Sequence, residues 1–303
     1  MKNRDSFPLV SIITLNYNQA AVTKEFLNSC RSLTYPNYEI LVCDMNSREN
    51  PLSLIQSEDY PNTTLYLSKL NRGFAGGNNW GMDFAKGEYI LIINNDTEVT
   101  ANLIEMLLVP FEQDPKAGVV CPKIKYFSDP SIIQYAGFSR MNPYTGRSKT
   151  IGYQQVDRGQ FDSIRSTWGP HGAAMMVKRE VIQKVGRFPE KFFLYYEEWD
   201  WGTRILNAGY KIYFQGLATV FHKESMSVGK LNPIKEYYLT RNRILYMRRN
   251  SGKGKLLIFS AFFACFTLPK TVAKYLIKGN IPFLRAFLKG VRDNIRMSSY
   301  SPV

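Results

Sequence analysis

The chain of 303 residues has little of what marks several common protein classes. Its four cysteines, Cys30, Cys43, Cys121 and Cys265, show no close pairing, which argues against a zinc cluster and a disulfide framework and fits a reducing compartment. There are two histidines, His171 and His222, and for a lone histidine a satisfied structural role is the usual reading. No glycine stands in the turn after the first strand-like run, which reads LNYNQAA. The G-x-G-x-x-G of a dinucleotide-binding dehydrogenase is therefore missing, and hydride chemistry is disfavoured. The longest nearly apolar run, Leu256 to Leu268, has 13 residues, too short to span a bilayer comfortably, and Pro269 and Lys270 interrupt it. The opening MKNRDSFPLVSIITLNYN runs straight into a strand-like segment, so the sequons at Asn62 and Asn95 are expected to stay unmodified.

What is present is an ordinary apolar share of 45% and an uneven charge. From Phe221 to the end stand 16 Lys+Arg against 3 Asp+Glu, a net of +13, while the remaining 220 residues are almost neutral. A neutral body with a basic tail points to local attraction rather than to a nucleic-acid-binding protein. In the body, strand-like runs alternate with helix-like ones. LVSIITLN, YEILVCDMNS, TTLYLS, YILIINND and GVVCPKIKYF read as strands. Segments from Thr23 to Leu33, after the loop KLNRGFAGGNN through Ala85, and from about Asn102 to Glu112 read as helices. That order predicts an α/β fold, a mainly parallel sheet with helices on both faces. Residues 129–167 lose the pattern and predict loops or a hairpin. GAAMMVKREVIQKVGRF predicts a strand then a helix, and YKIYFQGLATVFHK a strand pair at the sheet edge.

Three strands end in side chains that do not belong in a core: Asn16-Tyr17-Asn18, Asp44-Met45-Asn46-Ser47 and Asn94-Asn95-Asp96. Ligands of open α/β sheets sit outside the C-terminal strand ends, so these tips predict one shared polar crevice. Asp96 between neutral oxygen donors suits Mg²⁺ or Mn²⁺, or else caps the next helix. Asp44 fits hydrogen bonding to a nucleoside, or else a turn. In FFLYYEEWDWGTR, Asp200 and Arg204 have the spacing of a helix-surface ion pair, which leaves Glu198 unexplained. A carboxylate among aromatic rings is partly desolvated, its basicity rises, and it suits a general base. His222 follows the apolar ATVF and so falls at another strand end.

In this order and spacing, VSIITLNYN, ILVCDMNS, NRGFAGGNNWG, LIINNDTEV, GAAMMVKREVIQKVGRFPEKFFLYYEEWDWGTR and VFHKESMS resemble the family 2 glycosyltransferases, which have the GT-A fold. The likeness runs from about Pro8 to Asn250 and is strongest to the bacterial rhamnosyltransferase-like branch of cell-surface polysaccharide synthesis. It implies that Asn16, Asn18, Asp44, Ser47, Arg72, Gly73, Asn78 and Asn95 bind the nucleotide-sugar donor. NND occupies the family's D-x-D position, so the resemblance gives Asp96 a divalent ion (Mg²⁺ or Mn²⁺), with Asn94 in place of the first acid and His222 completing the site. EE stands where the family carries Glu-Asp; Glu198 becomes the base, with Glu197 and Asp200 as alternatives.

Alternating apolar and basic residues through Arg292 predict amphipathic helices on an anionic membrane surface, or else a helical unit packed on the body with a solvated basic face. The expected domains are 1–230, catalytic, and 231–303, helical and membrane-associating. The expected function is an inverting, metal-dependent transfer, rhamnose from its dTDP form being the candidate donor, onto a polyprenyl-diphosphate-linked glycan. It would take place peripherally at the cytoplasmic face of the plasma membrane, without nucleic acid, and the apolar tail could hold a homo-oligomer. The competing expectation is a non-catalytic scaffold in a glycan-assembly complex, which the departures at Asn94 and Glu198 keep open.

Overall fold

A computed structural model describes residues 7–49, 51–52, 60, 62–223 and 232–302. The end of the VFHKESMS motif and the expected boundary at 230/231 lie outside the described residues. The body opens with β1 (Val10–Asn16), α1 (Ala20–Cys30), β2 (Tyr38–Asp44), β3 (Thr63–Leu67), α2 (Gly73–Phe84), β4 (Tyr89–Ile93) and β5 (Thr97–Val99). There follow α3 (Leu103–Gln113), β6 (Ala117–Tyr126), β7 (Ile133–Tyr135), β8 (Ile164–Thr167), β9 (Ala174–Lys178), α4 (Arg179–Val185), α5 (Glu197–Asn207) and β10 (Lys211–His222).

The ten strands form one sheet in the order β3-β2-β1-β4-β9-β6-β10-β5, with β7 on β6 and β8 on β10. β3, β2, β1 and β4 are parallel, β9 runs against both β4 and β6, and β10 runs parallel to β6. The sheet is thus mainly parallel in strand direction, with β9, β5, β7 and β8 reversed. Continuous apolar runs such as Ile90–Ile93 suit strands buried on both faces. Alternation along β1 shows the two covers. Ile13 and Leu15 face Gly81 and Gly77 of α2, whereas Asn16 faces Thr23 of α1.

Glycine is needed in α2 for that approach. A Cβ at Gly77 would stand 2.8 Å from Leu15 Cδ1 and 2.9 Å from Met45 Sδ, and one at Gly81 would stand 2.7 Å from Ile13 Cγ2. The stretch predicted as a glycine-rich loop is therefore mostly helix from Gly73 onward, and its glycines pack the helix onto the sheet. The predicted strand pair at 210–223 is one strand, β10, whose register shifts between Gln215 and Thr219. The unit predicted for 129–167 is a run of short antiparallel pairings, among them Phe138↔Thr150 and Asn142↔Arg147.

Beyond the body come α6 (Pro233–Asn250), α7 (Lys253–Phe262), a π-helical turn (Phe263–Thr267), α8 (Leu268–Ile277) and α9 (Ile281–Arg296). Contrary to the sequence reading, Pro269 and Lys270 do not interrupt the helix. The wide π turn precedes Pro269, which then falls in the first turn of α8, where a missing N–H is tolerated. The result is one helix of 25 residues, Lys253–Ile277, long and apolar enough by length and composition to cross a membrane. α9 returns along α6, and Phe259, Phe263, Tyr275 and Phe287 share a second apolar core with Phe192 and Trp199 of the body.

Candidate active site

Parallel pairing sets Asn16 opposite Asp44 at the ends of β1 and β2. Asn16 Nδ2 donates to Asp44 Oδ1 at 2.7 Å, Ser47 Oγ donates to the same oxygen at 2.6 Å, and the Ser47 N–H donates to Asp44 Oδ2 at 2.9 Å. Three donors thus fix a buried carboxylate. Asn18 and Asn46 take positive φ of 55° and 61°, a backbone region asparagine tolerates, and the Asn18 N–H donates to Ser47 Oγ at 2.8 Å. The chain of bonds continues inward: Thr23 Oγ1 donates to Asn16 Oδ1 at 2.8 Å, and Asn95 Nδ2 donates to Thr23 Oγ1 at 2.9 Å. Buried polar bonds therefore connect Asp44 to the NND stretch through Thr23, which the sequence reading had placed only in a helix.

The glycine-rich segment joins the same end. Ser68 N–H donates to the Asp44 carbonyl at 2.9 Å, and Arg72 Nε donates to Ser68 Oγ at 3.4 Å while its guanidinium lies 5.7 Å from the Trp80 ring centroid. Gly73 has φ +67°, and a Cβ there would stand 2.5 Å from the Phe193 carbonyl oxygen. That carbonyl accepts the Phe74 N–H at 2.8 Å and so caps α2. Asn78 is buried and bonds its own helix at Phe74 O, whereas Asn79 bridges to Phe188 and Glu190.

At the other end of the tip row, antiparallel pairing sets His222 opposite Thr97 and so beside Asp96. His222 Nε2 lies 3.2 Å from Asp96 Oδ1, both side chains are buried, and that oxygen has no hydrogen-bond partner. His222 Nδ1 faces Gln134 Oε1 at 2.8 Å. An amide oxygen accepts, so Nδ1 carries the proton of this bond, and a neutral ring would then have its Nε2 lone pair to share a cation with Asp96. Two buried acceptors facing each other fit a divalent cation. Among the described residues no group of three or more His, Cys, Asp or Glu could hold a metal, so an ion held by Asp96 and His222 would need its remaining ligands from water or substrate oxygens. Asn94, partly buried, is fixed by its backbone N–H to Ala173 O at 2.9 Å. His171 stays outside the row. It stacks on Phe138, its Nδ1 accepts the Ala173 N–H, and burial lowers its pKa to about 3.

Glu197 and Glu198 open α5 after a turn in which Phe193, Tyr195 and Tyr196 all have positive φ, between 64° and 73°. Such backbone is strained for residues with side chains, and α6 holds it. Asn242 Nδ2, fully buried, reaches the carbonyls of Phe192, Leu194 and Tyr195 at 2.9, 2.7 and 2.8 Å, and Arg241 reaches those of Lys191 and Phe192. Glu198 borders a cleft of about 250 Å³ walled by Phe138, Tyr195, Tyr196, Trp199 and Leu239. Burial raises its pKa to about 7, against backbone N–H groups at the helix start that pull the other way. Burial also raises that of Glu197, and the charge of Glu198 adds to the effect. Asp200 is committed elsewhere: Arg204, Arg249 and Asn250 all donate to it, and it ties α5 to α6. Another cleft, of about 350 Å³ at Asp114, Lys211 and Tyr213, lies at the far end of β10 from His222.

A family model described as "Glycosyl transferase family 2" matches residues 11–186. An N-acetylglucosaminyl-diphospho-decaprenol L-rhamnosyltransferase of Mycobacterium tuberculosis is 25% identical over 244 residues, covering 73% of this chain and 78% of its own. An Escherichia coli UDP-Glc:alpha-D-GlcNAc-diphosphoundecaprenol beta-1,3-glucosyltransferase is 32% identical over 98 residues, 32% of this chain and 39% of its own. The fold resembles that of a Pyrobaculum calidifontis mannosyltransferase solved with GDP-Man and Mn²⁺, at a TM-score of 0.59, 17% identity, and coverage of 97% and 88% of the two chains.

Proposed function

The chain belongs to glycosyl transferase family 2, and from that premise we propose an inverting, metal-dependent transfer of rhamnose from its dTDP form to a lipid-linked glycan, at the cytoplasmic face of the plasma membrane. The observation that carries the reading is the facing pair of Asp96 Oδ1 and His222 Nε2 at 3.2 Å, joined through Asn95, Thr23 and Asn16 to the Asp44 cradle. One end of that row suits a nucleoside and the other a cation-bridged diphosphate. A divalent ion there would supply positive charge against the diphosphate leaving group. Asp44 accepts hydrogen bonds from the nucleoside, and Arg72 lies against the same end. Glu198 takes the proton of an acceptor hydroxyl as its oxygen bonds the anomeric carbon, and the bond from that carbon to the phosphate oxygen breaks. Attack from the face opposite the leaving group inverts the centre, and the aromatic walls keep competing water away.

The relatives' names support the finer assignments, rhamnose and a diphospho-polyprenol acceptor from one, a diphosphoundecaprenol acceptor from the other. The packing supports a peripheral attachment. The 25-residue helix lies against α6 and α9, which carry Arg241, Arg243, Arg248, Arg285, Lys289 and Arg292 and do not suit hydrocarbon. Its outward Leu257, Ile258, Phe266 and Ile277 are exposed and suit the interface.

Calorimetric titration with UDP, dTDP and GDP, each with and without Mn²⁺, tests the reading in the wild type and in Asp96→Ala. The expected result is Mn²⁺-dependent binding of dTDP that the variant loses, followed by turnover of dTDP-rhamnose. Metal-dependent binding of none of the three would overturn it.

A further inference from the structure

The cleft in front of Glu198 is lined by one cation, Arg147, an exposed residue in a hairpin turn. The turn is built to stay where it is. Asn142 Oδ1 accepts the Tyr144 and Thr145 N–H groups at 2.9 Å each, and Gly146, at φ +60°, donates to Asn142 O at 2.8 Å. Two elements of the catalytic region then brace it. Tyr196 Oη, two residues before Glu198, donates to Gly146 O at 3.1 Å, and buried Arg243 of α6 donates from Nε to Thr145 O at 2.7 Å. Gly146 itself packs on Met247 of α6.

Arg147 and Arg243 share a further property. Among the described residues neither makes an ion pair with a carboxylate, although they are close enough for the charge of Arg147 to add to burial in lowering the Arg243 pKa to about 10. Arg243 is engaged with Thr145 O and with the rings of Phe259 and Phe263. The exposed Arg147 side chain has no hydrogen-bond or ion-pair partner among the described residues and stays available to an anion that enters the cleft beside Glu198. Guanidinium forks match phosphate oxygens in two-point hydrogen bonding. The walls supplied by Phe138, Met141 and Leu239 are apolar, as a sugar face or a lipid neck requires. Leu239 belongs to α6, the helix on which α9 packs.

We propose that Arg147, with Arg243 behind it, takes the diphosphate of the lipid-linked acceptor while Glu198 meets a hydroxyl of the sugar on that diphosphate. The proposal rests on the glycosyl-transfer reading and deepens it: acceptor choice is made by charge at the linkage, not by the sugar alone.

The test compares wild type, Arg147→Ala and Arg147→Lys with two acceptors in neutral detergent, GlcNAc-diphosphate-lipid and GlcNAc on an uncharged alkyl lipid. Direct binding of each is measured by calorimetry alongside transfer. Wild type is expected to prefer the diphosphate compound, and Arg147→Ala to lower that preference about tenfold, with partial recovery in Arg147→Lys. An unchanged preference in Arg147→Ala overturns the proposal. So does a loss of dTDP affinity, which would give Arg147 to the donor. A third overturning outcome is weakened binding to phosphatidylglycerol vesicles with acceptor preference intact, which would give it to lipid head groups. Failure of the glycosyl-transfer reading is distinct: wild type would then transfer to neither acceptor, while the binding comparison would still decide for or against Arg147.

Discussion

In the proposed transfer, Glu198 concentrates the chemistry at the residue scale. Glu198→Gln removes the proton acceptor and preserves shape, so transfer should fall about a hundred- to ten-thousandfold while calorimetric nucleotide binding persists. The pH dependence has a definite sign. A base works ionised, burial raises Glu198 to about 7, and kcat/KM should therefore climb with pH through neutrality rather than plateau from pH 5 upward. Gln134 acts one shell further out, by accepting the hydrogen bond of His222 Nδ1. Gln134→Leu should weaken Mn²⁺ binding about ten- to a hundredfold, read from the free-Mn²⁺ electron paramagnetic resonance signal with dTDP present. Asp44, Asp96, His222 and Glu198 stood out in the sequence as candidates because a polar or acidic side chain closing an apolar strand, or embedded among aromatics, contradicts its surroundings. Thr23, Gln134 and Asn242 were not. Each lies in an unremarkable local pattern, and its partner comes from 7, 88 or 50 residues away.

At the scale of elements, alternation and apolar runs carried the parallel half of the sheet, because β1, β2 and β4 are each continuous in sequence and buried on both faces. They did not carry β10, where Gly216 reads as a turn. In the fold its missing Cβ leaves room for the Phe161 carbonyl within one continuous strand. Nor did they carry the helix through Pro269, since a π turn leaves no mark in residue type. α2 shows how a pattern changes meaning in three dimensions: its glycines read as a loop and serve as a packing face. Gly77→Val should destabilise the protein by about 1–3 kcal/mol in urea unfolding, since Leu15 and Met45 stand where the new side chain must go. The strained turn before α5 depends in the same way on α6. Asn242→Ala strips its donor from the Leu194 and Tyr195 carbonyls while Arg241 still serves that of Phe192, and the positive-φ backbone that presents Glu198 is expected to relax, lowering kcat more than nucleotide affinity.

Charge and apolar exposure separate across the whole molecule. The body is nearly neutral, and the excess of +13 lies from Phe221 onward, the stretch whose helices expose Leu257, Ile258, Phe266 and Ile277. Apolar exposure and basic charge on one unit act together at an anionic surface: Coulomb attraction recruits, and apolar insertion retains. The two contributions can be separated by salt. Wild type should sediment with phosphatidylglycerol vesicles, weaken as salt shortens the Debye length to about 3 Å near 1 M, and yet stay partly bound through its apolar face. The variant Leu257→Glu/Ile258→Glu/Phe266→Glu changes exposed positions, so folding should survive while vesicle binding is lost even at low salt. Alkaline carbonate then decides how the long helix is used. A peripheral unit, with α6 and α9 kept in water, is released by the wash. A helix that crossed the bilayer would stay with the pellet and would require the contacts of Phe263 with Phe287 and of Tyr275 with Phe283 to open. Release of the wild type, together with loss of binding in the triple variant, is the outcome that a surface-lying bundle requires.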